Sequence, residues 1–217
     1  MKRIFLAGTI VILLAVLCPM TNDQYAYAYL IDFESFNLGG GLYIDVPSPL
    51  AFNDVGGSGV NVNIVAGAYN RIYDLYSFAH QPGLTGQALI DWNWPSGANP
   101  AGTTILFSSP VSNFSLQAGD FGSDNDSPLS ITAYDGSDNV IGSVSAQWPS
   151  TQYPPFATLS LDLSGISKIV YNSGGAYSNS TFIDNINFSA LHSVPEPSTL
   201  LLFCAGLLGA GIMRKTS

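Results

Sequence analysis

PLSITAYDGSDNVIGSVSA, residues 128–146, decides the fold class. Two short runs in which apolar and small polar residues alternate, 128–134 and 139–146, flank Asp135-Gly136. That dipeptide favours the tight turn between antiparallel strands. The same pattern recurs outward in both directions. It predicts strands at Tyr29–Phe36, Gly59–Ala66, Arg71–Phe78, Thr103–Phe107 and Val111–Ala118. On the other side it predicts Ala157–Leu163, Ser167–Tyr171 and Thr181–Phe188. In Val111–Leu116, Phe114 and Leu116 face inward and small polar residues face out. In Thr181–Phe188 the inward set is Phe182, Asp184, Ile186 and Phe188, or else the opposite face bearing Ile183. No stretch of this region repeats apolar residues at i, i+3, i+4 and i+7 over three turns, as an amphipathic helix would. The expectation is an all-β fold: an antiparallel β-sandwich, wound as a jelly roll.

Both ends of the 217-residue chain read as processing segments that flank this body with two apolar helices. Lys2-Arg3 is followed by an apolar run from Ile4 to Leu17, and Ala26-Tyr27-Ala28 places small residues at −3 and −1. That is the plan of a secretory signal peptide, residues 1–28, cut by signal peptidase after Ala28. Cys18 follows Leu17, where a lipoprotein signal would want Gly, Ala or Ser. The folded body is then 29–193 and the tail 194–217.

The tail reads VPEPSTLLLFCAGLLGAGIMRKTS. Residues 198–213 form a short transmembrane segment, and the basic end Arg214-Lys215 stays on the cytoplasmic side under the positive-inside rule. Val194-Pro195-Glu196-Pro197-Ser198-Thr199, then a Leu/Gly/Ala-rich helix, then basic residues, resembles the PEP-CTERM sorting signal. The resemblance implies recognition by exosortase, an integral-membrane transpeptidase-like cysteine protease of Gram-negative bacteria that make exopolysaccharide. It implies an inner-membrane intermediate, held transiently by the C-terminal helix, and then the cell surface or the extracellular matrix. Pro195 and Pro197 keep the segment before the membrane extended. The signal is an address, and Glu196 belongs to a substrate motif.

Charge and cysteine content narrow the activities. Residues 29–193 hold 13 acidic side chains against two basic ones, Arg71 and Lys168. Such a body has no means to release counterions from nucleic acid or to dock on anionic lipid. Both cysteines, Cys18 and Cys204, lie in the end segments, so the body has no disulfide, thiolate site or cysteine nucleophile. His80 and His192 are the only histidines, and no nucleophile elbow or zinc-protease motif occurs. Glu34 is the single Glu of the body, so the paired carboxylates of a glycosidase are poorly supplied. A non-enzyme is expected; an enzyme would have to use Asp91 or Glu34.

Three constellations remain. Asp120, Asp124 and Asp126 alternate in the Gly-rich stretch GDFGSDND, which offers the hard oxygen ligands of a structural Ca²⁺. The twelfth position from Asp120 is Ile131, so this is not an EF-hand. The same residue types also form ordinary turns. The second constellation joins the ends of the body. Ile31-Asp32-Phe33-Glu34, on the first strand, and Phe182-Ile183-Asp184-Asn185-Ile186, on the last, resemble jelly-roll carbohydrate-binding and MAM-like modules. That resemblance implies neighbouring end strands with a structural calcium at Glu34 and Asp184, Asp32 matching less well. The third is aromatic. Loops 83–102 and 147–156 carry all three tryptophans. Asp91, Trp92, Asn93 and Trp94, with Trp148, form a sugar-stacking platform or else plug the end of the sandwich. The expected function is binding or structuring of extracellular polysaccharide. The alternative is a protein-binding adhesion component without saccharide affinity.

Overall fold

The computed structural model describes residues 25–65, 70–75, 86–91, 102–119, 127–147, 157–175 and 181–192. Twelve strands occur among them: β1 (Tyr25–Ile31), β2 (Tyr43–Asp45), β3 (Leu50–Phe52), β4 (Val62–Val65), β5 (Asn70–Asp74) and β6 (Gln87–Asp91). They continue as β7 (Thr103–Gly119), β8 (Leu129–Tyr134), β9 (Val140–Ala146), β10 (Ala157–Leu161), β11 (Ile166–Ser173) and β12 (Phe182–His192). Contacts divide the chain into a unit spanning Ala26–Leu191 and a terminal unit of Met1–Tyr25 with His192–Ser217. The first unit is the antiparallel β-sandwich that the alternating runs predict. Residues 1–24 of the signal segment and the transmembrane segment lie outside the described residues, and the last four residues of the signal segment, Tyr25–Ala28, belong to β1.

Two sheets form the sandwich. The first runs β2-β5-β6-β12-β7-β10, with β1 also paired to β12. The second runs β3-β4-β7-β11-β8-β9. The chain crosses between sheets at most connections, the winding habit of a jelly roll. One strand belongs to both. β7 pairs with β4 and β11 through Thr103–Phe107 and again with β11 at Val111, and with β10 and β12 through Ser112–Gly119.

The change of sheet explains a difference from the sequence reading. Two strands were expected, ending at Phe107 and starting at Val111; the structure has one strand of 17 residues. Ser108, Ser109 and Pro110 are exposed at the crossover, and Asn113 takes φ 51 while its N–H donates to Leu163 O at 3.0 Å. The apparent gap is a bend, and hydrogen bonding continues through it on the other sheet. Three strands were not foreseen: β2, β3 and β6. The first two are three residues long, too short to show a period, and β6 lies inside the stretch read as the loop 83–102. β5 ends at Asp74, short of the expected Phe78.

The core lies between the sheets. Ile72, Leu89, Leu116 and Ile183 from the first sheet meet Ile64, Ile105, Ile131 and Ile169 from the second, all at most 2% exposed. Each such side chain contributes about 1.5–3 kcal/mol through burial. Tyr73, Ala88, Ile90 and Phe182 are also buried but lie outside this cluster, on the opposite face of the first sheet. β12 is therefore buried on both faces along Phe182–Asp184, where the sequence reading expected one inward face. A register shift between Asp184 and Asn187 then turns Ile186 and Phe188 into the core.

The hairpin that decided the fold is present. Leu129, Ile131 and Ala133 face the core, and β9 pairs with β8 throughout. Asp135 fixes the turn: its Oδ1 accepts from Ser137 N at 2.8 Å and from Asn139 N at 2.9 Å. These donors, the Asn139 side chain foremost, hold the Asp135 carboxyl below its usual range.

Candidate functional site

The richest chemistry among the described residues gathers where β1 ends. Asp32 and Glu34 were expected on the first strand; they follow it, in a turn. Asp32 Oδ1 accepts from Glu34 N at 3.3 Å, and Phe33 takes φ 57 with its ring only 1% exposed. Phe33 packs against Phe36 and Phe52, with centroids 6.5 and 6.0 Å away. This aromatic anchor holds a left-handed backbone that a bulky residue avoids and sends Asp32 and Glu34 away from the core.

Glu34 reaches the first residues of β6. Its Oε1 accepts from Gln87 N at 2.8 Å, and its carboxylate crosses the face of Gly86. A Cβ at Gly86 would lie 2.1 Å from that oxygen, and φ there is +89, so both space and backbone require glycine. Gln87 Nε2 donates to Phe36 O at 3.1 Å, while Gln87 Oε1 is buried with no partner among the described residues. A pocket of about 390 Å³ opens beside these groups, lined also by Asp74, Leu38 and Leu42.

Asp184 completes the corner from β12. It is 5% exposed. Its Oδ1 accepts from Asn185 N at 2.7 Å and its Oδ2 from Asn185 Nδ2 at 3.1 Å. Asn185, at φ 47 on the bulge, also donates from Nδ2 to Gln117 Oε1 at 2.9 Å. Burial pushes the Asp184 carboxyl up to about 7; the Asn185 N–H opposes this, and the charges of Glu34 and Asp32 add to it. The corner is a set of oxygen donors with unbalanced negative charge and one orphan oxygen, the donor chemistry of a hard cation. Among the described residues, no three acidic, His or Cys side chains converge as a ready-made metal cage.

A second group, missed by sequence reasoning, lies on the outer face of the first sheet. Tyr43 and Tyr73 stack across β2 and β5 at 5.0 Å. The Arg71 guanidinium sits 4.6 Å from the Tyr43 ring centroid and bridges to Asp45 at 2.6 Å. The hydrogen bond that Arg71 donates to the Asp45 carboxylate holds the guanidinium above its ordinary value. Burial raises the Tyr73 hydroxyl. The Tyr43 ring stays 42% exposed. Only the rarity of Arg71, one of two basic residues in 29–193, hinted at this group.

Of the remaining candidates, Asp91 closes β6, opposite Asn70. Asn70 is 5% exposed; its Nδ2 donates to Pro47 O at 2.9 Å, and its Oδ1 has no partner among the described residues. Trp92, Asn93, Trp94, Trp148, Asp120, Asp124, Asp126 and the motif Val194–Thr199 lie outside the described residues. Ala26 and Ala28 are exposed on β1. Among the described residues, no helix is long and apolar enough to cross a membrane.

Residues 193–215 match the PEP-CTERM protein-sorting motif. No curated protein matches the chain. A solved DUF4465 family protein from Bacteroides caccae is 12% identical at a TM-score of 0.44, covering 75% of this chain and 98% of that one. A family 6 carbohydrate-binding module is 13% identical at 0.32, covering 76% and 92%. The K1 cleaved adhesin domain of Lys-gingipain from Porphyromonas gingivalis is 9% identical at 0.34, covering 76% and 98%. The sorting motif implies export, a membrane-anchored intermediate in a Gram-negative cell and processing by exosortase.

Proposed function

We propose that this exosortase-sorted β-sandwich binds extracellular polysaccharide without catalysis, at the end of the first sheet where β6 closes. One observation carries the reading: β6 is held between β5 and β12, and its last residue, Asp91, leads directly into Trp92-Asn93-Trp94. A strand paired on both sides supplies the rigid base that an aromatic loop needs to meet a flat ligand. Pyranose rings stack their C–H faces on indole, and Asp91 and Asn93 supply hydrogen bonds to hydroxyls. The exposed Tyr43 ring and Arg71 extend the same sheet toward β2. Affinity electrophoresis of the mature protein in gels of neutral and acidic polysaccharides tests the reading. Retardation abolished by Trp92→Ala or Trp94→Ala, at unchanged Tm, supports it. Equal mobility of wild type and variants in every gel overturns it.

The same proposal includes a structural Ca²⁺. Glu34 and Asp184, with the orphan Gln87 Oε1, would hold it at the corner, Asp32 adding negative charge nearby; Asp120, Asp124 and Asp126 are the other candidate set. When bound, the ion would neutralise the carboxylates and tie the turn after β1 to β6 and β12. Ca²⁺ titration of chelator-treated protein should raise Tm, by about 2.7 kcal/mol of stability at a hundredfold excess over Kd. Asp184→Ala and Asp120→Ala then tell the two sites apart.

The adhesion reading has one observation in its favour. Among the described residues β9, Val140–Ala146, is an edge strand; it carries no charge and no proline, and Val140 is 60% exposed. Such an edge invites pairing with another protein. Assembly lost on Val140→Lys, with saccharide affinity absent, would favour it.

A further inference from the structure

β12 leads straight into the sorting motif, and β1, the strand on which the signal junction falls, pairs with it. The direction of that neighbour follows from contacts. The chain leaving β1 reaches Gln87 N through Glu34. Leu89 and Ile90 of β6 pair with Ile183 and Phe182, which places Gln87 beside Asn185. Tyr29 meets Phe188, with ring centroids 5.8 Å apart. The end of β1 is therefore at the start of β12, and β1 runs antiparallel, its first half alongside Ser189–Leu191. Among the described residues, β6 pairs with β12 no further than Ile183, and β7 no further than Ser189. β1 pairs with β12, and its direction sets its first half beside Ala190 and Leu191.

The signal junction falls inside this pairing. Cleavage after Ala28 removes Tyr25–Ala28, four of the seven residues of β1. Of the removed side chains, Ala26 and Ala28 are exposed and Tyr27 is 52% exposed. Ile31 and Phe33, 4% and 1% exposed, stay behind and keep the rest of β1 anchored. The loss includes the backbone pairing of β1 at the end of β12. We propose that removal of the signal peptide bares the edge of β12 from Ser189 to Leu191, and that exosortase engages this edge as an added strand while it processes the motif beginning at residue 193. Enzymes that act on peptide chains commonly bind them extended, through main-chain hydrogen bonds. An intact β1 occupies those groups, so N-terminal processing becomes the gate for C-terminal processing.

The inference rests on cleavage after Ala28, so the experiment reads both ends of the full chain in an exosortase-containing Gram-negative host. In one variant the junction moves upstream: Asn22→Ala and Gln24→Ala create the new site, and Ala26→Gln with Ala28→Gln remove the old one. The mature form then keeps all of β1. Pulse-chase of tail removal should be at least tenfold slower than in wild type. Adding Tyr27→Pro, which deletes a main-chain donor from β1, should restore the wild-type rate. Equal rates in wild type and the moved-junction variant overturn the proposal, as does failure of Tyr27→Pro to restore the rate. N-terminal sequencing separates failure of the premise, since wild type must start at Tyr29 and the variant at Tyr25. A tail left uncut in wild type would remove the sorting reading itself. A stable dimer of the Tyr29 form that dissociates when β1 is restored would assign the bared edge to a second copy, and also overturns the proposal.

Discussion

Asp184 is the residue on which the corner turns. Its carboxyl titrates near 7 in the folded chain, through burial first and the neighbouring charges second, and near 4 in an unfolded one. The folded state therefore holds the extra proton between those values. Stability is highest at and below the lower value and falls as pH rises toward 7, by on the order of 3–4 kcal/mol in chelator. Asp184→Asn should flatten this slope and raise Tm at pH 8, as read by thermal melts across pH 4–8. Gly86 is the second test. Gly86→Ala forces a Cβ onto the Glu34 carboxylate and strains φ +89, for a loss on the order of 2–3 kcal/mol. The double variant with Glu34→Ala should lose less than the sum, because only the clash is relieved. Glu34 and Asp184 were readable as a pair from their similarity to jelly-roll end strands. Gly86, Gln87 and the Tyr43–Tyr73–Arg71 group were not, because their contacts depend on cross-strand register, which composition does not encode.

At the scale of elements, β7 matters most. Phe114 and Leu116 lie in its second half, and Ile105 in its first, so one strand feeds the core from both sheets. Phe114→Ala should cost about 3–5 kcal/mol and leave a single melting transition, with amides of both sheets losing hydrogen-exchange protection together. Separate transitions for the two sheets would contradict this. The strands that alternate over five or more residues, β8 and β9 above all, were legible because their period is longer than chance. β2 and β3 are too short to display one, and β6 hides among glycines. The bend in β7 reads in sequence as an end, since Ser-Ser-Pro looks the same whether a strand stops or changes sheet.

For the whole molecule, charge sets the balance. Both basic residues of 29–193 are already engaged, Arg71 with Asp45 and Lys168 with Asp138. The surplus of carboxylates repels itself across the body. Raising NaCl from about 10 mM to about 150 mM at pH 8 should lift Tm by a few degrees through screening, and the gain should vanish near pH 4. The fold class and the sorting address were both open to sequence reasoning, one through periodicity and the other through a contiguous motif. The shared strand has a mechanical side as well. In most layered materials, plies slide once the adhesive between them yields. Here one fibre is woven through both plies at Ser108–Asn113, so tension applied to either layer passes into the other along covalent bonds. A body tugged by a hydrated matrix would resist delamination by its main chain as well as by its core.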